Sequence, residues 1–306
     1  MAIRIAIIGF GKIARDQHVP AILADPRFEL VAVASVERPP ALEVPWFAST
    51  AELIEGMRGQ LDAVAVCTPP QVRHAIACDA IAAGLAVILE KPPAGTLGEI
   101  DDLERKAQIA RCGLYAAWHS QHAAAVQDAR RLLEDATIAS LNIAWFEDVR
   151  KWHPGQDWIW SVGGFGVFDP GINALSIATH ILPEPLIVKE ALLIEPENRQ
   201  APIAASLTFA GNASRAEFDW RHEEGECWTI HVDTEEGQTI VLEEGGARLS
   251  AGGVQLPLPE RGEYNSIYSA FAEVVEKREV VVDREPLRIV ADAFLVGSRV
   301  RAEPFE

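Results

Sequence analysis

Residues 3–14, with the sequence IRIAIIGFGKIA, decide the fold of the amino-terminal half. A mainly apolar run of strand length leads directly into Gly9 and Gly11, and Ala14 follows. In a dinucleotide-binding turn the first glycine permits a tight bend, the second lets the backbone approach a pyrophosphate, and the small third residue allows close helix–strand packing. A helix opening near Lys12 points free N–H groups at the phosphates. A purely structural glycine turn is the alternative, and the strand–turn–helix context favours a nicotinamide dinucleotide site.

The same alternation of apolar strands and helical segments continues from Ile3 to about Trp118. Further strands are predicted in FELVAVAS, LDAVAVCTPP, LAVILEKP and LYAAWH, with helices between them. Short buried runs joined by helical crossovers specify a parallel sheet that is covered on both faces. We therefore predict an α/β protein whose first domain, residues 1–122, is a doubly wound Rossmann sheet that binds a dinucleotide.

The pattern changes after about Ala124, where longer alternating stretches rich in tryptophan and threonine begin, such as SLNIAWFEDVR and CWTIHVDT. Glycine turns separate them, and the helical segment PGINALSIATHIL interrupts them, which indicates a large, open, mainly antiparallel sheet. We predict that residues 123–306 form an α+β domain for substrate binding and oligomerisation, with C-terminal helices free to pack back on the first domain. A cleft between the two domains is the expected ligand site.

Composition and charge exclude several classes of partner. The 306 residues suffice for two domains, and 45 acidic against 27 basic residues give a net charge of -18. That charge repels phosphate backbones and anionic headgroups, so neither nucleic acid nor membrane is a predicted partner. The amino terminus lacks a signal-peptide cleavage pattern, and no stretch approaches transmembrane length. Cys67, Cys78, Cys112 and Cys227 are scattered without a CxxC pair, which predicts reduced thiols in a cytoplasmic protein.

The end of the second strand leaves the choice of dinucleotide open. An NAD-selective fold usually carries an acidic residue there for the ribose hydroxyls, but this strand ends at Ser35. Ser35 and Arg38 could hold a 2′-phosphate, whereas Glu37 could reach the hydroxyls or repel that phosphate. These signs conflict within four residues, so the predicted cofactor is NAD or NADP.

A second signature occupies residues 67–97, CTPPQVRHAIACDAIAAGLAVILEKPPAGTL. It contains the Thr68-Pro69 turn, His74, and Glu90-Lys91-Pro92 at a strand end. Together with the glycine motif it resembles the Gfo/Idh/MocA oxidoreductase family, whose members pair a Rossmann domain with an open-sheet α/β domain, and the resemblance covers the whole chain. The motifs and the resemblance together predict these cofactor-binding residues: Gly9, Gly11, Lys12, Ile13, Ser35, Glu37, Arg38, Thr68, Pro69, His74, Glu90 and Lys91.

The resemblance implies that Lys91 and Asp169 are the catalytic residues. In the family, the lysine of the Glu-Lys-Pro motif contacts the substrate at the hydride-transfer centre, where it can orient or deprotonate a hydroxyl. Without the resemblance, Lys91 would be an ordinary surface lysine after a strand. Asp169 also has a second interpretation, because DPGIN suits a helix start in which Asp169 is the cap and Pro170 the first helical residue.

Position 173 departs from the family pattern. The family usually carries a histidine four residues after the aspartate, as its acid/base partner, and this chain has Asn173 there. An amide does not exchange protons at neutral pH, so the role of proton acceptor shifts to Asp169, with Lys91 as the competitor. Asn173 is left as a hydrogen-bond partner for a sugar oxygen.

Two long segments of the second half make the resemblance more specific. EDVRKWHPGQDWIW (147–160) and GGFGVFDPGINALSI (163–177) are similar to the branch of the family that oxidises L-arabinose and D-galactose at C1. A sugar site needs charged and amide groups for the hydroxyls and an aromatic plane for the C–H face. Trp145, Trp158 and Trp160 are interpreted as sheet packing. By resemblance, the residues that bind the sugar hydroxyls are His119, Glu147, His153 and Asn173. Trp152, between Lys151 and His153, is predicted to bind substrate as well, with packing as the alternative.

The function expected from this resemblance is oxidation of a pyranose at C1 to the aldonolactone, with both sugars accepted and glucose disfavoured. Another sugar or polyol dehydrogenase, such as an inositol dehydrogenase, is one alternative, and it would usually keep histidine at position 173. The other alternative is a non-catalytic regulator that senses a sugar and a dinucleotide. The presence of both catalytic residues, Lys91 and Asp169, disfavours this alternative. The segment HSQH (119–122) lacks a further ligand cluster, so no metal is predicted. Family analogy suggests a homo-oligomer, a dimer or tetramer, built through the second sheet.

Overall fold

The computed structural model describes residues 2–40, 43–259 and 262–306. The chain forms two compact units, of which the first comprises Met1–His119 with Gly262–Arg284 and the second Ser120–Arg261 with Glu285–Glu306. The predicted ranges 1–122 and 123–306 stay a prediction of functional domains; in the structure a segment of the C-terminal region belongs to the first unit.

The described residues form 16 β-strands and nine α-helices. The strands are β1 Ile3–Ile8, β2 Phe28–Ala34, β3 Trp46–Phe47, β4 Ala63–Val66, β5 Ala86–Glu90, β6 Leu114–Ala117, β7 Ile138–Phe146, β8 Val188–Pro196, β9 Ala204–Phe209, β10 Ala213–Asp219, β11 Cys227–Thr234, β12 Thr239–Glu243, β13 Arg248–Ala251, β14 Val254–Gln255, β15 Val280–Val281 and β16 Ser298–Ala302. The α-helices are α1 Val19–Ala24, α2 Thr50–Gly56, α3 Pro70–Ala82, α4 Leu97–Ala110, α5 Val126–Leu133, α6 Val149–Trp152, α7 Phe168–Ile181, α8 Glu263–Lys277 and α9 Glu285–Val296. Among the helices of the described residues, none is both long enough and apolar enough to cross a membrane.

The first unit contains a seven-stranded sheet in the order β15-β6-β5-β4-β1-β2-β3, and all its neighbouring strands are parallel. Successive side chains of β1 point to opposite faces. Ile5 and Ile7 enter one core, which α1 and α8 cover. Ala6 and Ile8 enter the other, which α2, α3 and α4 cover. The predicted doubly wound parallel sheet is confirmed.

The helix after the glycine turn is irregular. Its turns over Ala14–His18 are π-helical, and regular α1 begins at Val19. Pro20 has no N–H to donate to the preceding turn, and its ring crowds the carbonyl four residues back, so a wider turn before it relieves that clash. The wide turn leaves His18 fully buried.

Helix α8 completes the core of the first unit although it lies far along the chain. Ile267, Tyr268 and Phe271 are buried against the face of the sheet that also carries Ile5 and Ile7. Phe28 of β2 packs edge-on against Tyr268, with ring centroids 5.2 Å apart. This apolar stripe explains why the C-terminal segment belongs to the first unit.

The second unit contains a nine-stranded sheet in the order β14-β13-β12-β11-β7-β10-β9-β8-β16. Six neighbouring pairs are antiparallel, and the pairs β7–β10 and β8–β16 are parallel. Helices α5, α7 and α9 pack on one face. Strand β10 alternates exposed and buried residues over most of its length, as expected for a sheet with one covered face. The predicted large, mainly antiparallel sheet is confirmed.

Candidate active site

The glycine turn has the shape that a dinucleotide needs. Gly9 has φ of +87°, and a Cβ on it would lie 2.8 Å from Cγ2 of Thr68, so only glycine fits. A Cβ on Gly11 would meet nothing within 4 Å, which leaves room beside the backbone for a phosphate. The Thr68 hydroxyl is buried and, within the described residues, has no hydrogen-bond partner. Pro69 follows it directly and Pro70 begins α3. These residues fit a bound dinucleotide.

Side chains near the predicted ribose and phosphates are mostly exposed. Ser35 donates its hydroxyl to the Glu37 carbonyl at 2.6 Å, so this hydroxyl is held inside the turn. Glu37 and Arg38 are both exposed, and both signs of charge are therefore accessible at this strand end. Lys12 forms an ion pair with Asp16 one turn along the helix. Ile13 is exposed as well.

The side chain of His74, a residue of α3, contacts the neighbouring helix α4. Its Nε2 is 2.9 Å from Oδ2 of Asp102 on α4 and 3.5 Å from Sγ of Cys78 on α3. These three residues offer ligand atoms within 4.8 Å of one another, but the Lys106 ammonium already contacts both Cys78 and Asp102. The group is therefore an ion-pair cluster that joins α3 to α4, and the cofactor role of His74 stays a prediction.

Lys91 lies at the carboxyl edge of the parallel sheet, directly after β5. Gly9 and Thr68 lie at the same edge, since they follow the neighbouring strands β1 and β4 closely, and ligands of doubly wound sheets bind at this edge. The carboxylate of the preceding residue, Glu90, points inward, and its Oε2 accepts the backbone N–H of Lys91 at 3.0 Å. The topology therefore brings Lys91 to the edge that holds the glycine turn.

Glu90 is a buried, ionised carboxylate. Its Oε1 is 2.9 Å from Nε2 of His18 and accepts the hydroxyl of Tyr264 at 2.5 Å. Burial disfavours the charged form, but the hydrogen bond and charge of His18 hold the pKa of Glu90 at about 2. His119 lies nearby, stacked on Tyr264 with ring centroids 5.9 Å apart, and its Nδ1 is 2.8 Å from Oε2 of Glu263.

The second unit gathers a separate polar cluster. Glu147 is buried, and its two oxygens accept the indole N–H groups of Trp220 and Trp228, each at 3.1 Å. Nε2 of His153 lies 3.8 Å from Oε1 of Glu147 and 3.7 Å from Oδ2 of Asp169. The imidazole thus sits between two buried carboxylates, and all three groups are of the types that accept hydrogen bonds from hydroxyls and act as general bases.

Asp169 does not cap its helix, contrary to one of its two interpretations. Helix α7 begins at Phe168, its cap position is Val167, and Asp169 belongs to the first turn, where its N–H donates to the Gly166 carbonyl at 2.8 Å. Asp169 therefore lies inside the first turn of α7 and is not its cap residue. Asn173 lies one turn further on, and within the described part of the chain its Oδ1 is buried without a partner. A substrate hydroxyl would satisfy it.

The tryptophans around this cluster differ in burial, and some pack in the interior while Trp152 is partly exposed. Trp145 is buried in β7 and stacks on Trp228 with ring centroids 5.7 Å apart, so its interpretation as packing is right. Trp158 and Trp160 lie in a short 3₁₀ turn, Asp157–Trp160. Trp160 is buried, and its ring centroid lies 5.2 Å from that of Trp220, which agrees with its interpretation as packing. Trp152 is 43% exposed. Its N–H donates to Glu226 at 3.1 Å and its ring centroid lies 5.5 Å from that of Trp228.

Sequence reasoning missed several residues that shape these sites. Trp220 and Trp228 hold Glu147, and only the register of the sheet, which pairs Trp228 with Trp145, could have pointed to one of them. Arg73 is buried, and its guanidinium donates to the carbonyls of Thr68, Glu90 and Pro92. An arginine close to the start of a helix that covers the sheet is the only sequence signal for Arg73 within α3. The remaining missed residues are His18, Tyr264 and Tyr268.

Comparison with known proteins identifies relatives of the whole chain. The profile of the Gfo/Idh/MocA family, described as an oxidoreductase family with an NAD-binding Rossmann fold, matches residues 3–118. A galactose 1-dehydrogenase of Pseudomonas fluorescens is 48% identical over 308 residues, which cover 99% of this chain and 98% of the relative.

Solved structures agree with this result. The crystal structure of a D-galactose-1-dehydrogenase from Rhizobium etli superposes with a TM-score of 0.94 at 47% identity, covering 100% of this chain and 98% of that one. A 3-ketoreductase from Actinomadura kijaniata, solved with NADP and TDP-benzene, superposes with a TM-score of 0.86 at 19% identity over 99% of this chain and 100% of its own. At that identity the likeness concerns the fold alone.

Proposed function

The chain belongs to the Gfo/Idh/MocA oxidoreductase family, and we propose that this NAD(P)-dependent enzyme is an aldose 1-dehydrogenase. It oxidises C1 of a pyranose, L-arabinose or D-galactose, to the aldonolactone. The observation that carries the proposal is the buried cluster in which His153 lies between the carboxylates of Glu147 and Asp169. The near-full-length similarity to a galactose 1-dehydrogenase supports the choice of an aldose and of C1.

The residues of this chain have separable tasks in that reaction. When bound, the dinucleotide supplies the hydride acceptor. Asp169 takes the proton of the anomeric hydroxyl, and Lys91 orients that hydroxyl and competes for the same proton. The unpaired Oδ1 of Asn173 accepts a hydrogen bond from a ring hydroxyl. The backbone around Gly11 and the hydroxyl of Thr68 bind the dinucleotide.

Glu147 reads a hydroxyl of the sugar. Each of its oxygens accepts one indole N–H, from Trp220 or Trp228, and an ionised carboxylate can accept from several donors. The indoles fix the carboxylate without neutralising it. His153 reaches both Glu147 and Asp169, and the partly exposed ring of Trp152 offers a plane to a C–H face of the sugar.

Substrate preference follows from what an enzyme pocket can discriminate. L-Arabinose and D-galactose share their ring hydroxyls and differ by the exocyclic CH₂OH, and a small added group changes binding by only about 1–3 kcal/mol. Glucose displaces one ring hydroxyl, which leaves a buried polar partner unpaired. Both arabinose and galactose should therefore be substrates, and glucose should be a poor one.

The test is the absorbance of reduced nicotinamide on mixing the enzyme with L-arabinose, D-galactose, D-glucose and myo-inositol, each with NAD and with NADP. Turnover of the first two sugars, with weak or no signal from the others, is the expected result. Comparable turnover of inositol would contradict the proposed aldose 1-dehydrogenase and would indicate a polyol dehydrogenase. Cofactor binding without turnover of any compound would favour a sensor.

We also propose a homo-oligomer, a dimer or tetramer, in which the open face of the second sheet is covered. Arg215 and Glu217 alternate with buried residues along β10 and point to that face. Light scattering coupled to size exclusion should give a mass above that of one 33.3 kDa chain.

A further inference from the structure

We propose that His18, Glu90, Tyr264 and Tyr268 form a buried network that positions Lys91 and connects it to the helix that follows the dinucleotide turn. The network lies in the first unit, beneath the carboxyl edge of the parallel sheet. Its members come from three separate parts of the chain: the helical turn after Gly11, the end of β5, and α8. The link to catalysis rests on the function proposed above, whereas the positioning itself can be measured without turnover.

The carboxylate of Glu90 is the centre of the network. Oε1 is bound by His18 at 2.9 Å and by the Tyr264 hydroxyl at 2.5 Å, and Oε2 accepts the N–H of Lys91 at 3.0 Å. The hydroxyl of Tyr268 lies 2.7 Å from the other imidazole nitrogen of His18. Three side chains thus fix the direction of the carboxylate that holds the backbone of Lys91.

The charges of the network are set by burial and by its own members. Burial disfavours a charged imidazole, yet the neighbouring Cys67, Tyr268 and Glu90 raise the pKa of His18 well above its ordinary value. Glu90 remains ionised, so the two form an ion pair inside the unit. A buried ion pair is seldom more stable than an apolar pair of the same size. Its presence beside Lys91 is therefore better explained by positioning than by stability.

The network also reaches the cofactor side of the sheet edge. The π-helical turns Ala14–His18 belong to the helix that starts after Gly11, and they place the imidazole of His18 in the interior. Such widened turns are frequent at functional sites. A shift of this helix when a pyrophosphate binds would move His18, and through Glu90 the backbone of Lys91.

A second clamp acts on the same loop from the other side. Arg73 donates to the carbonyls of Glu90 and Pro92, the residues on either side of Lys91, and to that of Thr68. The backbone of Lys91 is therefore held by hydrogen bonds at three successive residues. Placement of a catalytic group at this level of accuracy is what an oriented reaction needs, since a misplacement of about 1 Å can reduce the rate on the order of 100-fold.

Tyr264→Phe tests the proposal with the smallest change, since it removes the hydroxyl on Glu90 and keeps the ring beneath His119. Tyr268→Phe is the matched control, because its hydroxyl contacts His18 and not Glu90. For Tyr264→Phe we expect kcat with the aldose to fall on the order of tenfold while KM for sugar and cofactor changes less than about twofold. Tyr268→Phe should have a smaller effect on kcat.

Amide hydrogen exchange of Lys91 provides the readout that does not need turnover. Pro92 and Pro93 carry no amide hydrogen, so in a peptide that begins within β5 and ends at Ala94 the amide of Ala94 is the only one after that of Lys91. Exchange at Lys91 should be faster in Tyr264→Phe than in wild type, with Tyr268→Phe between them and the strand β5 unchanged. Glu90→Gln should increase the exchange further if the variant folds.

The outcomes separate the two proposals. Unchanged exchange at Lys91 and unchanged kcat in Tyr264→Phe would overturn the network, while turnover of galactose by wild type would still support the proposed function. Faster exchange in Tyr264→Phe with no sugar turnover by wild type would support the network and overturn the aldose dehydrogenase. If Tyr264→Phe and Tyr268→Phe lose kcat to the same extent and also lose melting temperature to the same extent, the network stabilises the fold and does not position Lys91.

Discussion

Glu90 and Glu147 are both buried glutamates at the end of a strand, but their partners differ in charge. Glu90 receives a charged imidazole, a phenol and the N–H of Lys91. Glu147 receives two neutral indole N–H groups, and its nearest imidazole, that of His153, is 3.8 Å away. The first carboxylate is paired with a buried cation of the protein, whereas the second is fixed in place by two neutral donors.

This difference shows how burial alone fails to identify a ligand-binding residue. A carboxylate neutralised by a buried cation has little to offer a sugar hydroxyl, and its effect on catalysis is indirect. A carboxylate held by neutral donors keeps its charge and its acceptor capacity, and charged acceptors form the stronger hydrogen bonds. The pairing pattern therefore supports the two proposals, positioning for Glu90 and recognition for Glu147.

The largest effect is expected at a third carboxylate, Asp169, which is buried beside His153 but is not the cap residue of its helix. Asp169→Asn should lower kcat on the order of 10²–10⁴-fold, the usual contribution of a general base, and should leave cofactor affinity unchanged. Asp157→Asn, an exposed carboxylate of the same half, is the control. Steady-state kinetics and a fluorescence titration of the cofactor measure both. If kcat of Asp169→Asn falls by less than about tenfold, Lys91 is the proton acceptor, and kcat of Lys91→Met should then fall further than that of Asp169→Asn.

Stability should separate the two glutamates next. Glu90→Gln leaves a buried charge on His18 without its partner and should lower the free energy of unfolding by about 3–5 kcal/mol. Glu147→Gln disturbs the hydrogen bonds from two neutral indoles and the longer contact with His153, and should lower it by about 1–3 kcal/mol. Urea unfolding of both variants measures the difference. Equal losses would mean that the contrast between the two sites has no energetic basis.

The pH dependence sharpens the same comparison. The pKa of Glu90 is lowered from 4.5 to about 2 on folding, so its stabilisation is present above pH 4.5 and is lost as the pH falls towards 2. The pKa of His18 is raised above 6.5, so its stabilisation is present below pH 6.5 and is lost as the pH rises through the raised value. The difference in unfolding free energy between wild type and Glu90→Gln should be greatest between these limits. A difference that does not vary with pH would contradict the ion pair.

A smaller effect is expected where Glu147 loses one donor. Trp228→Phe keeps most of the aromatic surface and removes one hydrogen bond, so KM for the sugar should rise roughly fivefold, about 1 kcal/mol, with little change in kcat. Trp145→Phe is the control, because within the described residues the Trp145 indole N–H has no partner. Michaelis constants for galactose measure both. A larger rise of KM in Trp145→Phe would show that stacking, and not donation to Glu147, sets the affinity.

The sequence pattern sufficed for the architecture, because strand alternation, helix crossovers and the glycine turn are local signals. It also placed Lys91 at the carboxyl end of a parallel strand, where doubly wound sheets bind their ligands. The partners of Glu90 could not be predicted in this way, since His18 and Tyr264 lie 72 and 174 residues from it. No periodicity relates residues at such distances.

Local signals also misled at Asp169. DPGIN resembles a helix start with Asp169 as the cap, but α7 begins at Phe168, two residues before the expected first helical residue, Pro170. Trp158 and Trp160 are interpreted as packing, and the local pattern does not show that they lie in a short helical turn after the loop that carries His153. The two indoles on Glu147 depend on strand register, which alternation alone does not determine.

The position of oxidation on the sugar is the central claim, and isotope transfer tests it directly. D-Galactose deuterated at C1 would be turned over with NAD or NADP, and the reduced cofactor would be analysed by mass spectrometry. An aldose 1-dehydrogenase transfers that deuterium, so the reduced cofactor should gain one mass unit relative to the reaction of unlabelled galactose. Turnover that leaves the reduced cofactor unlabelled would place the oxidation at another carbon and would contradict the assignment.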